Sequence, residues 1–298
     1  LQVESGASID GTGSSIRIDE LNDGLNGGGT VLINGGITVG VDNGNGSFSG
    51  AIVDSALGST DTYNLTKEGS GTQTLTGANT YSGDTTISGG TLEVSGAGSL
   101  GSGTYAGAIA NSGTFKQNST ANQTLSGVIS GSGSMVKDNS GTLTLSGANT
   151  YTGDTTISNG TLEISGAGTL DSGTYSGAIA NSGTFKQNST SDQTLSGDIT
   201  GTGSLVKDNS GTLTLSGANT YSGGTTLTGT GALVMTGVTS AGTGAIVQSD
   251  ANSILRFDTT GTITNNMTLY NFESLRNVTL TGDINAQDAT YKIATGKI

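Results

Sequence analysis

Residues 141–158 read GTLTLSGANTYTGDTTIS, and nearly the same string stands at residues 71–88, GTQTLTGANTYSGDTTIS, and at residues 211–228, GTLTLSGANTYSGGTTLT. The copies are 70 residues apart, and residues 71–140 align with residues 141–210 without a gap, with 56 of 70 positions identical. A period of this length is typical of an array in which each unit buries its face against its neighbours. The string therefore predicts an elongated repeat protein.

A shorter rhythm lies inside the long repeat. A glycine, a small residue and an apolar residue recur, and the apolar positions follow one another at steps of 23, 20 and 27 residues, which together make 70. These positions are Leu92, Phe115, Met135, Leu162, Phe185 and Leu205. Steps of this size correspond to single coils of a solenoid, so one long repeat should contain three coils.

Each coil divides into short strands. The segment Thr91-Leu92-Glu93-Val94 alternates polar and apolar residues, which places Leu92 and Val94 on one face and Thr91 and Glu93 on the other. Turns rich in Gly and Asn separate the strands, and no apolar pattern of a long helix is present. A sandwich or a propeller also has short strands, but stacking of Leu over Phe over Met or Leu favours a solenoid, and a propeller blade would need its own signature.

We therefore predict an all-β fold, a right-handed parallel β-helix (β-solenoid) of about 13 coils with no long helix, because parallel crossovers are almost always right-handed. The prediction treats residues 1–298 as a single rod. Within the rod, residues 1–62 form irregular N-terminal coils, residues 63–228 form the 70-residue repeats, and residues 229–298 form diverged C-terminal coils.

The composition excludes several classes of function. The chain has 53 Gly, no Pro, no Cys and no His, and its formal net charge is −13. An acidic chain does not suit nucleic acid, and no apolar run reaches the length of a membrane helix, so we expect neither nucleic-acid binding nor membrane insertion of this segment. No signal peptide stands at Leu1, so we expect the numbering to begin after processing or inside a longer protein.

The stretch GTLTLSGANTYTGDTTISNGTLEISGAGTL at residues 141–170, with a GTGSLVKDNS-type segment before it, closely resembles the passenger-associated transport repeat of bacterial autotransporters. The resemblance covers residues 63–100, 133–170 and 203–228. It implies a right-handed parallel β-helix in a passenger domain that is exported by type V secretion across the outer membrane of a Gram-negative bacterium. It also implies an extracellular or cell-surface location, and a role as a virulence-associated adhesin or self-associating surface protein.

We accordingly expect an adhesive structural rod whose partner is a host or neighbouring-cell surface, or another copy of the chain, with repeated contacts adding by avidity. A second hypothesis is a subunit that stacks through open solenoid edges into an extracellular filament or sheath. A third is a polysaccharide-active β-helix enzyme.

We predict no enzymatic activity and assign no catalytic, metal or cofactor residues. Acids recur at 70-residue spacing, as a solvated outer face would have them, whereas a catalytic site is normally singular. The pairs are Glu93 and Glu163, Asp84 and Asp154, and Asp138 and Asp208. Residues 19–24, DELNDG, resemble a calcium loop, but Leu21 stands where an oxygen ligand is needed.

Three further patterns have plain structural interpretations. Tyr81, Tyr151 and Tyr221 share one repeat position beside a glycine, which favours packing over a carbohydrate contact. The pair Thr142 and Thr144 recurs on only one coil in three, which is weak support for an ice-binding face. Glycosylation sequons, which chance also produces in such a chain, begin at Asn64, Asn118, Asn122, Asn188, Asn266 and Asn277.

Overall fold

The computed structural model describes residues 1–10, 15–54 and 62–293. It contains two compact units, Leu1–Gly153 and Asp154–Ile298. Apart from two single-turn 3-10 segments, Gly101–Gly103 and Asp171–Gly173, the described residues form strands and turns. Among these residues no helix is long and apolar enough to cross a membrane.

The described residues of the first unit form nineteen strands. They are β1 Gln2–Val3, β2 Ser8–Asp10, β3 Ile16–Arg17, β4 Asn22–Asp23, β5 Thr30–Ile33, β6 Ile37–Val39, β7 Gly46–Phe48, β8 Ala51–Asp54, β9 Leu65–Lys67, β10 Thr72–Leu75, β11 Thr85–Ile87, β12 Thr91–Gly96, β13 Thr104–Tyr105, β14 Ile109–Asn111, β15 Thr114–Ser119, β16 Gln123–Leu125, β17 Ile129–Ser130, β18 Ser134–Lys137 and β19 Thr142–Leu145. Their sheets run β7-β10-β12-β15-β18, β3-β6-β9-β11-β14-β17, β2-β5-β8, β13-β16-β19 and β1-β4.

In the second unit, the part of the chain that the structure describes forms seventeen strands. They are β20 Thr155–Ile157, β21 Thr161–Gly166, β22 Thr174–Tyr175, β23 Ile179–Asn181, β24 Thr184–Ser189, β25 Gln193–Leu195, β26 Ile199–Thr200, β27 Ser204–Lys207, β28 Leu213–Leu215, β29 Thr225–Leu227, β30 Ala232–Met235, β31 Ile246–Gln248, β32 Ile254–Phe257, β33 Gly261–Ile263, β34 Met267–Ser274, β35 Val278–Leu280 and β36 Ile284–Ile293. Their sheets run β20-β23-β26, β22-β25-β28-β30-β32-β34, β21-β24-β27-β29-β31-β34-β36 and β33-β35.

Strands that are neighbours in a sheet lie one coil apart in the chain, and they pair in parallel. Thr85 in β11, for example, pairs with Leu65 in β9 on one side and with Ile109 in β14 on the other. Each unit is therefore a parallel β-solenoid, as predicted. The described coils come to about 14 turns, slightly more than the roughly 13 coils that the repeat length predicts. The difference arises because some coils near the C-terminus are shorter: Arg256 and Glu273, which lie on neighbouring coils, are only 17 residues apart.

The interior is built from stacked apolar columns. Leu92 in β12 pairs with Phe115 in β15, which pairs with Met135 in β18, and all three side chains are fully buried. The equivalent column in the second unit is Leu162, Phe185 and Leu205. The predicted stacking of Leu over Phe over Met or Leu is confirmed, and so is the facing of strand 91–94, in which Leu92 and Val94 are buried and Glu93 is not.

The corners between strands need left-handed backbone. Asn139 has a φ of 61° and Asn209 a φ of 62°, at the same turn of two successive repeats, and asparagine tolerates this conformation better than most residues. At Gly90 the φ is 60°, and a Cβ would lie 2.2 Å from the carbonyl oxygen of Gly71 in the preceding coil. Only glycine fits such a close approach of two coils.

Candidate functional site

A buried lysine occupies one corner of each repeat. Lys67, Lys137 and Lys207 end β9, β18 and β27, and each residue is at most 1% exposed. The Nζ of Lys137 donates hydrogen bonds to the carbonyl oxygens of Asp138 at 2.5 Å and of Asn139 at 2.7 Å. The Nζ of Lys207 binds the two equivalent carbonyls at 2.6 and 3.1 Å. The ammonium group therefore ties the backbone of the turn to the interior of the coil.

Burial changes how readily these lysines hold a proton. It lowers the pKa of Lys137 and Lys207 from 10.5 to about 8, with the neighbouring Asp138 and Asp208 acting in the opposite direction. Burial likewise lowers the pKa of Lys67. Sequence reasoning missed these lysines, although the strict alternation of β18 places Lys137 on the same face as Met135 and could have indicated the burial.

The asparagine of the GANTY motif closes another corner. Asn149 is buried, its Oδ1 accepts the N–H of Ile129 in the preceding coil at 2.9 Å, and its Nδ2 donates to the carbonyl of Gly147 at 2.9 Å. Asn79 and Asn219 accept the N–H of the equivalent isoleucines at 3.0 and 2.7 Å. The repeated asparagine thus serves as a link between coils.

The repeated tyrosines lie inside the coil. Tyr81, Tyr151 and Tyr221 are fully buried. The hydroxyl of Tyr81 lies 2.8 Å from Thr85 Oγ1, which lies 2.7 Å from the hydroxyl of Tyr105, and the rings of Tyr81 and Tyr105 meet edge to face with centroids 5.5 Å apart. The packing interpretation of the tyrosine position is confirmed, since these rings are not available to a carbohydrate.

Buried glutamines occur in two settings. Gln123 accepts the N–H of Leu100 at 2.8 Å and donates to its carbonyl at 3.0 Å, so its amide acts as a ladder partner, and Gln73 and Gln193 do the same in their own coils. Gln117 and Gln187 lie in a different column, where they pair with the apolar residues Val94 and Ile164 of the preceding coil. Each of the two glutamines is 1% exposed. Neither amide group of this second pair has a hydrogen-bond partner among the described residues.

The outer face carries the repeated acids. Lys116 Nζ lies 3.5 Å from Glu93 and 3.7 Å from Asp138, and Asn118 donates to Glu93 at 2.6 Å. The equivalent cluster in the second unit joins Lys186 to a glutamate at 3.5 Å and to an aspartate at 3.3 Å. These acids lie on the outside as predicted, but they are paired with lysine.

The other aspartates that the sequence analysis singled out link one coil to the next. Asp84 and Asp154 each accept a backbone N–H from the following coil at 2.8 Å. In the calcium-like segment, Asp19 accepts two backbone N–H groups at 2.9 and 2.7 Å, and Asp23 accepts that of Ser49 at 2.6 Å. Within the described ranges, no group of three or more His, Cys, Asp or Glu residues is arranged to hold a metal ion.

Threonines form a continuous column on a second outer face. Thr104, Thr124 and Thr144 pair across β13, β16 and β19 on consecutive coils. In the second unit, the column is Thr174, Thr194 and Thr214. The pair Thr142 and Thr144 recurs once in three coils, as the sequence indicates. On the two coils between, single threonines from other motifs continue the column that contains Thr144. The result is an uncharged hydroxyl stripe in each unit.

The matched parts of the chain carry this framework. A model of the passenger-associated-transport-repeat family matches residues 65–94, 135–164 and 205–229, so the three buried lysines, the linking asparagines and the buried tyrosines at positions 81, 151 and 221 all lie inside the matches. The comparisons with curated proteins and with solved structures gave no significant match. The chain carries three passenger-associated transport repeats on a parallel β-solenoid, and these features are consistent with a secreted autotransporter passenger domain.

Proposed function

We propose that the chain is an adhesive rod of an autotransporter passenger, displayed at the bacterial cell surface, that attaches to a host or neighbouring cell or to other copies of itself. The observation that carries the proposal is the repetition of the same outward groups in both units. Each unit bears one three-residue lysine and acid cluster and one threonine stripe. Identical patches on one chain let weak contacts add by avidity.

The chemistry of the outer face favours polar contacts. Five of the eight tyrosines are fully buried, so most of the tyrosine rings, which commonly anchor interfaces, lie in the interior. The repeated outward clusters and stripes carry hydroxyl, amide and charged groups. Affinity from one patch should therefore be low, and attachment should depend on the number of patches presented.

The net charge predicts opposite salt dependence for two kinds of partner, another copy of the chain and a positively charged surface. At −13, two copies repel each other, and salt screens that repulsion over about 10 Å at 0.1 M. Clumping between copies should therefore increase with ionic strength. Attachment to a positively charged surface should weaken over the same range.

The test uses beads coated with the chain, scored for clumping and for binding to cultured cells across a salt series. Thr124→Asp with Thr194→Asp changes the centre of each threonine stripe, and Thr86→Asp with Thr156→Asp makes the same charge change on a different outward column as a matched control. Loss of attachment in the first variant alone supports the proposal. Beads that stay dispersed and bind no cell at any salt concentration would refute it.

An end-to-end filament is the alternative, and an exposed strand edge would be its contact. β36 pairs with β34 on one edge, Ile284 is 40% exposed, and a groove of about 380 Å³ lies between β31, β34 and β36. A strand edge of this kind can accept another strand. Electron microscopy of the purified chain distinguishes the two, since a rod of fixed length excludes a filament.

The proposal assigns no catalytic role to the acids and no partner among nucleic acids or membrane interiors. Asp19 and Asp23 act as acceptors of backbone N–H groups, which gives them a structural use. A glycan panel is the direct test of the third hypothesis. Turnover of any glycan that is lost when Asp19, Glu20 and Asp23 are changed to amides would establish an enzyme.

A further inference from the structure

Five asparagines precede a glycine, at positions 26, 34, 43, 45 and 159. The backbone nitrogen that follows an asparagine can attack the side-chain carbonyl carbon, form a five-membered succinimide and expel ammonia. Water then opens the ring to aspartate or to isoaspartate. The step is easiest before glycine, because a glycine has no Cβ to shield its nitrogen, and it requires that nitrogen to lie beside the side-chain carbonyl.

Asn159 meets both conditions. It is exposed in the turn between β20 and β21. The backbone N–H of Gly160 donates a hydrogen bond to the Oδ1 of Asn159 at 2.7 Å, so the attacking nitrogen lies near the carbonyl carbon that bears this oxygen. Gly160 has a φ of 67°, a conformation that holds the turn in this form.

Other Asn-Gly pairs point their carboxamides elsewhere. The Oδ1 of Asn45 accepts the N–H of Thr72 at 2.8 Å, and that of Asn43 accepts the N–H of Ser70 at 2.8 Å. Both oxygens are used as links to the next coil. Their following nitrogens have the same chemistry as Gly160, but the carbonyl carbon is turned toward another residue.

Two asparagines share the contact but lack the glycine. Asn139 and Asn209 each have their Oδ1 2.9 Å from the following backbone nitrogen, which belongs to serine. The serine Cβ shields that nitrogen. Some asparagines of the chain thus have a following glycine, and others have the following nitrogen beside the side-chain carbonyl. Asn159 has both.

We propose that Asn159 is a site of spontaneous deamidation in the folded chain, with water as the co-reactant. The Gly160 nitrogen forms a bond to the side-chain carbonyl carbon while the bond from that carbon to Nδ2 breaks, and the proton of the attacking nitrogen leaves with Nδ2 as ammonia. Water then attacks either carbonyl carbon of the ring and breaks its bond to the ring nitrogen. Aspartate adds one negative charge to the turn. Isoaspartate lengthens the main chain by one carbon just before β21, where the Gly160 carbonyl accepts the N–H of Thr184 at 2.9 Å.

The test is peptide mapping by mass spectrometry after incubation of the chain in mildly alkaline buffer, folded and in urea. In the folded chain, the peptide with Asn159 should convert to aspartate and isoaspartate several-fold faster than those with Asn45, Asn139 and Asn209. In urea, the Asn159 and Asn45 peptides should convert at similar rates, because both are followed by glycine.

The matched control is Asn159→Gly, since the equivalent position in the preceding repeat is Gly89. This variant should fold normally and should not gain the charge that deamidation at position 159 adds on ageing. An Asn159 peptide that stays intact, an Asn45 peptide that converts as fast in the folded chain, or an Asn159 to Asn45 ratio that urea leaves unchanged would each overturn the proposal.

Discussion

Mild alkalinity should stabilise this protein, because its repeats bury lysines. Lys137 and Lys207 have a pKa of about 8 when folded and the ordinary 10.5 when unfolded. Between these values the unfolded chain binds more protons than the folded chain. The free energy of unfolding therefore rises with pH in that window, and below about pH 8 the full penalty of the buried charge is present.

The expected size follows from the two pKa values. One pKa unit corresponds to about 1.4 kcal/mol, so each lysine should add about 2 kcal/mol between about pH 7 and about pH 9.5. The tyrosines oppose this only at higher pH. Burial raises the pKa of Tyr105 and Tyr221 to about 12, above the ordinary 10, so the stability they contribute is lost as the pH rises beyond 10.

The assay is urea unfolding followed by far-ultraviolet circular dichroism at the two pH values. Lys137→Met and Lys207→Met keep a long apolar side chain without the charge, and the double variant should lose about 4 kcal/mol of the alkaline gain. Lys116→Met, which changes an outward lysine, is the control and should keep the gain. The reasoning fails if the double variant gains as much as the unaltered protein, or if the unaltered protein loses stability over this range.

Three substitutions test the interior by the same unfolding assay. Leu162→Asp places an unpaired charge in the apolar column and should cost several kcal/mol, whereas Thr161→Asp, one residue away and outward, should cost less than about 0.5 kcal/mol; equal losses would show that the strand faces the other way. Gln117→Met removes an amide that has no partner among the described residues and should raise stability by about 1–3 kcal/mol, and a clear loss would contradict this. Tyr105→Phe removes the hydrogen bonds of the hydroxyl to Thr85 and to the Gly83 carbonyl and should cost about 1 kcal/mol, so a neutral result would show that these contacts contribute nothing.

The solenoid and its interior could be read from the sequence because both depend on periodicity. Strand alternation decides which side chains face inward, and the coil-length step decides which of them stack. Leu92, Phe115 and Met135 meet both conditions, and the structure places them in one column. No knowledge of the turns was needed for this.

The polar framework could not be read in the same way. A lysine is expected at the surface, and the burial of Lys137 makes sense only once the carbonyl groups of its turn are in place. The threonine stripe could not be predicted from the sequence for another reason. Thr104, Thr124 and Thr144 belong to unlike motifs, and only the pairing of consecutive coils aligns them.

The residues that make the repeat recognisable are mostly those that point inward. The asparagine, tyrosine and lysine positions of the matched segments are buried, so a match to the repeat describes how the coil is built and carries little information about what it binds. Information about a partner has to reside in outward positions, and there the repeats differ in charge. The second repeat has Asp171, Asp192 and Asp198 where the first has Gly101, Asn122 and Val128. At one of these positions both repeats make the same link to the next coil, since Asn122 accepts the N–H of Thr142 at 2.9 Å and Asp192 accepts that of Thr212 at 2.8 Å, so the outer charge can change while the link is kept. A partner that responds to negative charge on the outer turns should distinguish the two repeats, and its preference should be lost when these three aspartates are replaced by the residues of the first repeat.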